Sequence, residues 1–149
     1  MEEIYWKNKP WKKLTNNEIE EIFILRARVF VVEQNCAYQD ADGYDQKAIH
    51  VLGRKKNKVI AYCRVFNEGD FYKEVSFGRA LVEKKNRGKG HGHQLIKETL
   101  KVIQEKWKEK KIKISAQAHL SSFYQKHGFK TKGEEYLEDG IPHVAMYKN

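Results

Sequence analysis

The sequence predicts an α/β fold on a mixed sheet, in which an antiparallel meander is joined to a parallel βαβ crossover. Three observations carry the prediction. Three strand-like runs follow one another with short links, as antiparallel neighbours do. A glycine-rich turn then opens an amphipathic run of helical period. An alternating run returns about one crossover helix later, which makes it parallel to the strand before the turn.

In chain order, Glu2 to Lys7 reads as a short first strand and Pro10-Trp11 as a connection. Thr15 and Glu18 have the spacing of a capping box, in which each side chain meets the other's backbone N–H. Ile19, Ile22, Phe23, Arg26, Val29 and Phe30 then recur at helical spacing, so one helix is predicted from Asn16 to Val32. Glu33 to Asp45 is a polar, turn-rich loop with four acidic residues, Glu33, Asp40, Asp42 and Asp45, in an otherwise basic chain. Ala48 to Arg54 and Lys58 to Phe66 form a hairpin, and Val75 to Val82 adds the third strand of the meander.

After the turn, Leu95, Ile96, Thr99, Leu100, Ile103 and Trp107 trace one helical face. Lys111 to Gln117 is the returning strand, with Ile112, Ile114 and Ala116 alternating against Lys113, Ser115 and Gln117. A short helix from Leu120 to Lys126 ends at Gly128, and two antiparallel strands flank Glu138-Asp139-Gly140.

A chain of 149 residues, 40% hydrophobic and 33% charged, fits one folded domain spanning 1–149. No apolar run reaches the ~18 residues that would cross a bilayer, and Met1 to Trp6 lack the basic and apolar regions of a secretory signal. Cys36 and Cys63 are too few for a disulfide framework, so a cytoplasmic protein with free thiols is expected. The excess of 29 basic over 20 acidic residues gives a net charge of +9, concentrated in lysine clusters. No zinc-finger, RRM or KH signature accompanies them, and an anionic small ligand would be attracted equally well.

The chemistry centres on Arg87-Gly88-Lys89-Gly90-His91-Gly92. Alternate glycines let the backbone approach a ligand without Cβ interference. The helix that opens there presents unpaired N–H groups, and Arg87 and Lys89 add full charges, a combination suited to phosphate or diphosphate. His91 contributes its backbone. With His93 it supplies only two imidazoles and no carboxylate or thiol set, so no metal is expected. Asp40, Asp42 and Asp45 are not spaced as a calcium loop, because Gly43 falls too early and no bidentate glutamate follows.

The turn resembles the acyl-CoA turn of the GNAT N-acetyltransferases, through Arg87, Gly90 and Gly92. His119 to Phe129 is similar to that family's helix ending in Leu-Tyr-x-x-x-Gly-Phe, and the element order agrees over nearly the whole chain. Gln117 and Leu120 depart from the pattern, standing where many members carry asparagine and alanine. The runs Val29 to Cys36, Tyr38 to Asp40, Asp42-Gly43, Ala116 to Leu120 and Glu138 to His143 resemble the ElaA-like branch.

The resemblance implies a GNAT-like acyl-CoA N-acyltransferase fold. It also implies transfer of an acetyl group from acetyl-CoA to an amine, with CoA as product. The turn from Gly88 to Gly92 would then hold the diphosphate, the backbone near Leu81 and Val82 the pantetheine amides, and Gln117 would border the same ligand. Tyr124 stands where many members place the proton donor for the departing thiolate, a sensible role for a phenol of pKa ~10.

For the base, Glu33, His50, His119 and His143 are the candidates, with Glu33 and His143 in segments that could border the acceptor. Asp40, Asp42, Asp45 and Asp139 would favour a small cationic amine, with His50 also near it. Protein N-terminal or lysine acetylation is the first alternative, and a nonenzymatic CoA- or nucleic-acid-binding module the second. A monomer or homodimer, with no membrane partner, completes the expectation.

Overall fold

The computed structural model describes residues 3–108 and 110–149. Strand β1 (Tyr5–Pro10) pairs antiparallel with β2 (Ile49–Lys55), β2 with β3 (Lys58–Phe66), and β3 with β4 (Ser76–Val82). Strands β5 (Ile112–Gln117), β6 (Lys130–Glu138) and β7 (Ile141–Lys148) form a second sheet in the order β5-β7-β6. The meander and the terminal hairpin thus stand as the sequence implied.

The predicted first strand is displaced. Glu2 lies outside the described residues, and the strand runs on through Pro10. Because β1 is an edge strand bonded only to β2, a residue without an N–H can end it at no cost to the ladder.

Helix α1 (Asn16–Arg26) starts at the predicted capping box, in which Glu18 N–H donates to Thr15 Oγ1 at 3.1 Å and Thr15 N–H to Glu18 Oε1 at 2.9 Å. It is not one α-helix to Val32. From Ala27 to Glu33 the chain continues as a π-helix, a wider coil often found at functional sites. The widened segment and the residue after it bring Val29, Phe30, Glu33 and Gln34 to one cavity wall.

Helix α2 (His91–Trp107) buries Leu95, Ile96, Thr99, Val102 and Ile103 on one face. The buried Thr99 hydroxyl is satisfied by donating to the Leu95 carbonyl at 2.8 Å. Helix α3 (Ser121–Gln125) closes on Gly128 at φ +93°, with the Phe129 N–H returning to the Tyr124 carbonyl at 3.2 Å. The β6–β7 turn places Asp139 and Gly140 at φ +51° and +79°, as a tight hairpin requires.

The meander carries a core on each face because side chains alternate along a strand. Val51, Cys63 and Val65 meet α2, Ile114 and Met146 on one side. Leu52, Val59 and Tyr62 meet Ile22, Leu25 and Val29 under α1 on the other. Among the described residues no helix is long and apolar enough to cross a membrane.

Candidate active site

Strands β4 and β5 run parallel but, among the described residues, are hydrogen-bonded only at one end, where the Lys113 N–H donates to the Val75 carbonyl at 2.9 Å. Beyond that bridge they belong to different sheets, and a cavity of about 1030 Å³ opens between them. It runs from the glycine turn to the tip of the β6–β7 hairpin. A β-bulge interrupts β4 in its wall, since Cys63 of β3 stands opposite both Arg79 and Ala80. Arg79 adopts φ +53°, an uncommon conformation for a residue with a Cβ.

At one end lies the glycine turn. Gly88 and Gly90 have φ +80° and +82°, and nothing stands within 4 Å of where a Cβ would project at either. Gly90 is the N-cap of α2 and supplies no side chain to it. The helical ladder begins with Gln94 N–H donating to the Gly90 carbonyl at 3.2 Å, which leaves the N–H groups of His91, Gly92 and His93 open. Gly92 packs on Phe123, 3.5 Å from its Cβ position. This cradle fits a diphosphate: open amides at a helix N-terminus, and space that any side chain would fill.

Two predicted residues at this end are tied to each other. Arg87 pairs bidentately with Glu33 and donates from Nε to the Val82 carbonyl at 2.9 Å. Glu33, expected as a base or acceptor contact, is therefore an ion-pair partner of the turn. Lys89 is exposed outside the cavity lining. Leu81, Val82 and Gln117 line the cavity. The Gln117 amide, however, exchanges hydrogen bonds of 3.3 and 3.4 Å with Gln34 across the opening.

Tyr124 lies midway, buried among Phe77, Phe123 and Phe129. Its hydroxyl has no hydrogen-bond partner among the described residues, although the residue lines the cavity. Burial, with nearby Cys63 contributing less, pushes its pKa above the ordinary phenol value.

The acidic loop departs from expectation. Arg26 donates to Asp40 at 2.8 Å and to Asp45 at 2.7 Å. Arg64 donates to both oxygens of Asp42 and, at 3.0 Å, to Asp45, while Arg79 donates to Asp40 at 2.8 Å. Arg26 and Arg64 are 0% and 1% exposed. Three carboxylates and three guanidiniums thus cancel, so the loop presents no free negative charge to an amine. Burial alone would raise Asp42, but Arg64 outweighs it and holds the carboxyl at about 2. Against the same upward push, Arg26 and Arg64 lower Asp45 as well.

His50 is corrected too. It is fully buried behind this lattice and lies outside the cavity lining. Its Nε2–H donates to the Asp45 carbonyl at 2.9 Å, and Nδ1 accepts from the Tyr62 hydroxyl at 2.6 Å. Burial lowers its pKa and keeps it neutral, a core side chain rather than an acceptor contact.

At the far end His143 lines the cavity, with Nδ1 2.7 Å from the Ile141 carbonyl and Nε2 3.5 Å from Glu138. Asp139 reaches the same rim, and its carbonyl accepts from the Cys36 thiol at 3.3 Å. His119 also lines the cavity but is exposed. Sequence reading missed Arg64, Phe71, Tyr72, Arg79, Ser115 and Glu138, all of which face the same space. A signal did exist for Arg64: a lone cation inside the apolar run from Val59 to Phe66 demands a buried partner.

A family model described as an acetyltransferase (GNAT) domain matches residues 14–149. The chain is 41% identical over 145 residues to Protein ElaA of Escherichia coli K12, covering 96% of this chain and 95% of that protein. The crystal structure of Escherichia coli ElaA superposes with a TM-score of 0.92 at 39% identity, covering 98% of this chain and 99% of the other. An acyl-CoA N-acyltransferase from Pseudomonas aeruginosa superposes equally well, TM-score 0.92 at 35% identity, covering 97% and 99%.

Proposed function

The chain belongs to the GNAT acetyltransferase family, and from that premise we propose that it moves an acetyl group from acetyl-CoA to a primary amine of a small molecule in the cytoplasm, as one catalytic domain spanning 1–149. The observation that carries the reading is the open amide cradle at Gly88 to His93, set at the mouth of the gap between β4 and β5. A diphosphate seated there directs the pantetheine along Leu81 and Val82 toward the β4 bulge. The bulge interrupts pairing with β3, and in this reading a backbone N–H there polarises the thioester carbonyl. Arg87 can turn to the diphosphate, because a surface ion pair such as its own with Glu33 is worth only ~1 kcal/mol or less.

The amine attacks the thioester directly, and Tyr124 serves the sulfur that leaves. Burial raises the phenol, which by itself would make it a weaker acid. The same burial raises the basicity of a thiolate beside it, so donor and acceptor stay matched. Tyr124→Phe is expected to lower kcat roughly 100-fold while CoA affinity, read by calorimetry, changes little; undiminished turnover would remove Tyr124 from the mechanism. The preference for a cationic acceptor loses its basis, because arginines neutralise the loop carboxylates.

Calorimetry with CoA, followed by an acetyl-CoA turnover screen over polyamines, amino sugars, amino acids and peptides, tests the proposal. Heat of binding together with turnover on a small amine supports it. Binding without turnover on any acceptor would leave a CoA-binding module, and turnover confined to peptides would assign a protein acetyltransferase.

A further inference from the structure

His143 is the second residue after the β6–β7 turn's Gly140-Ile141 step, and the hairpin determines which of its nitrogens is free. A carbonyl can only accept, so the 2.7 Å contact with Ile141 places a proton on Nδ1. In the neutral imidazole Nε2 then carries the lone pair. That nitrogen lies 3.5 Å from Glu138 Oε2, on the strand paired with its own. Once protonated, the ring has an acceptor at each nitrogen.

Glu138 is itself held. Its other oxygen accepts from the Ser115 hydroxyl at 3.3 Å, and Ser115 in turn hydrogen-bonds the Tyr136 hydroxyl. The Tyr136 ring stacks on His143, with centroids 6.2 Å apart and planes 24° apart. Such a face also favours a cationic ring. Gln117 of β5 lies opposite His143 in register, Asp139 sits in the turn, and Tyr72 reaches the cluster from the β3–β4 connection. Burial first, then Tyr136 and Glu138, push the Tyr72 phenol up to about 12, so the phenol stays neutral near pH 7. Tyr72, Ser115, Glu138 and His143 all face the cavity at the end away from the glycine turn.

We propose that His143 takes the proton of the attacking amine and that Glu138, oriented by Ser115 and Tyr136, is its positioning residue and the proton's exit. The inference rests on the transferase reading above. The amine lone pair forms the new C–N bond, and the C–S bond breaks with its electrons going to sulfur. The proton released from nitrogen passes to Nε2 of His143, while the thiolate takes a proton from Tyr124. His143 then returns its proton to solvent past Glu138, whose side chain is 47% exposed, and water restores Tyr124.

The test follows the imidazole of His143 by NMR across pH in the CoA-bound protein, and the pH profile of kcat/KM, in the native protein, Glu138→Gln and Glu138→Asp. Glu138→Gln removes the charge but keeps the shape. It is expected to move the acidic limb of the rate profile to lower pH and to reduce kcat 10-fold or more, with CoA affinity within twofold. Glu138→Asp should recover most of both. His143→Asn should erase that limb and lower kcat further. A His143 titration or a rate profile unmoved by Glu138→Gln overturns the dyad whatever the total activity. Failure of CoA to bind or react would instead overturn the transferase reading, and the NMR coupling would still report on the pair in free protein.

Discussion

Gly90→Glu is expected to lower affinity for CoA at least ~100-fold, about 3 kcal/mol. The substitution acts twice. Gly90 sits at φ +82°, where any Cβ brings strain of roughly 1–2 kcal/mol. The space beyond it is empty to 4 Å, so the added carboxylate stands where the proposed diphosphate would sit, at the positive end of α2. Gly90→Ala separates the two effects, because it carries the strain without the charge. Calorimetry should find the alanine variant weakened modestly and the glutamate variant silent. Equal affinity in all three proteins would mean the turn does not hold the diphosphate.

Asp45→Ala is expected to destabilise the fold by about 3–5 kcal/mol, enough to lower Tm by about 10 °C. Asp45 is buried and serves two guanidiniums, Arg26 at 2.7 Å and Arg64 at 3.0 Å. Removing it leaves two cations in the interior with one carboxylate fewer, and an unpaired buried charge costs far more than an intact pair contributes. The His50 contact uses the backbone carbonyl of Asp45, so it survives the change. A melt shifted by less than 2 °C would show that the lattice is not a buried structural unit.

The same lattice gives a pH signature. Asp42 and Asp45 are both more acidic in the folded chain than unfolded, so below their ordinary range near ~4 the unfolded chain binds more protons. Their stabilisation is complete above about pH 4 and is lost as pH falls toward about 2, the folded value of Asp42. Urea midpoints should fall across that interval and stay level above it. A flat profile would contradict the pairing.

Much of the frame was readable before any coordinates. Thr15 and Glu18 announced the start of α1, and the alternation around Ile112 and Ile114 announced β5. Gly128 marked the end of α3, and the glycine turn marked the cradle. Each of these is a signal contained in a few neighbouring residues. The π-helical segment from Ala27 to Glu33 was not readable, because its residues have the same apolar spacing as an α-helix.

Local chemistry, then, determined the order of elements, the caps and the place where an anion can sit, since φ preferences and side-chain period act within one or two turns. Only the folded chain decided what the charges do. Asp40 meets Arg79 from 39 positions away, Glu33 meets Arg87 from 54, and Gln34 meets Gln117 from 83. A carboxylate reads the same in sequence whether it faces water or a buried guanidinium, and its partner, not its type, makes it an attractor, a structural ion or the companion of a histidine.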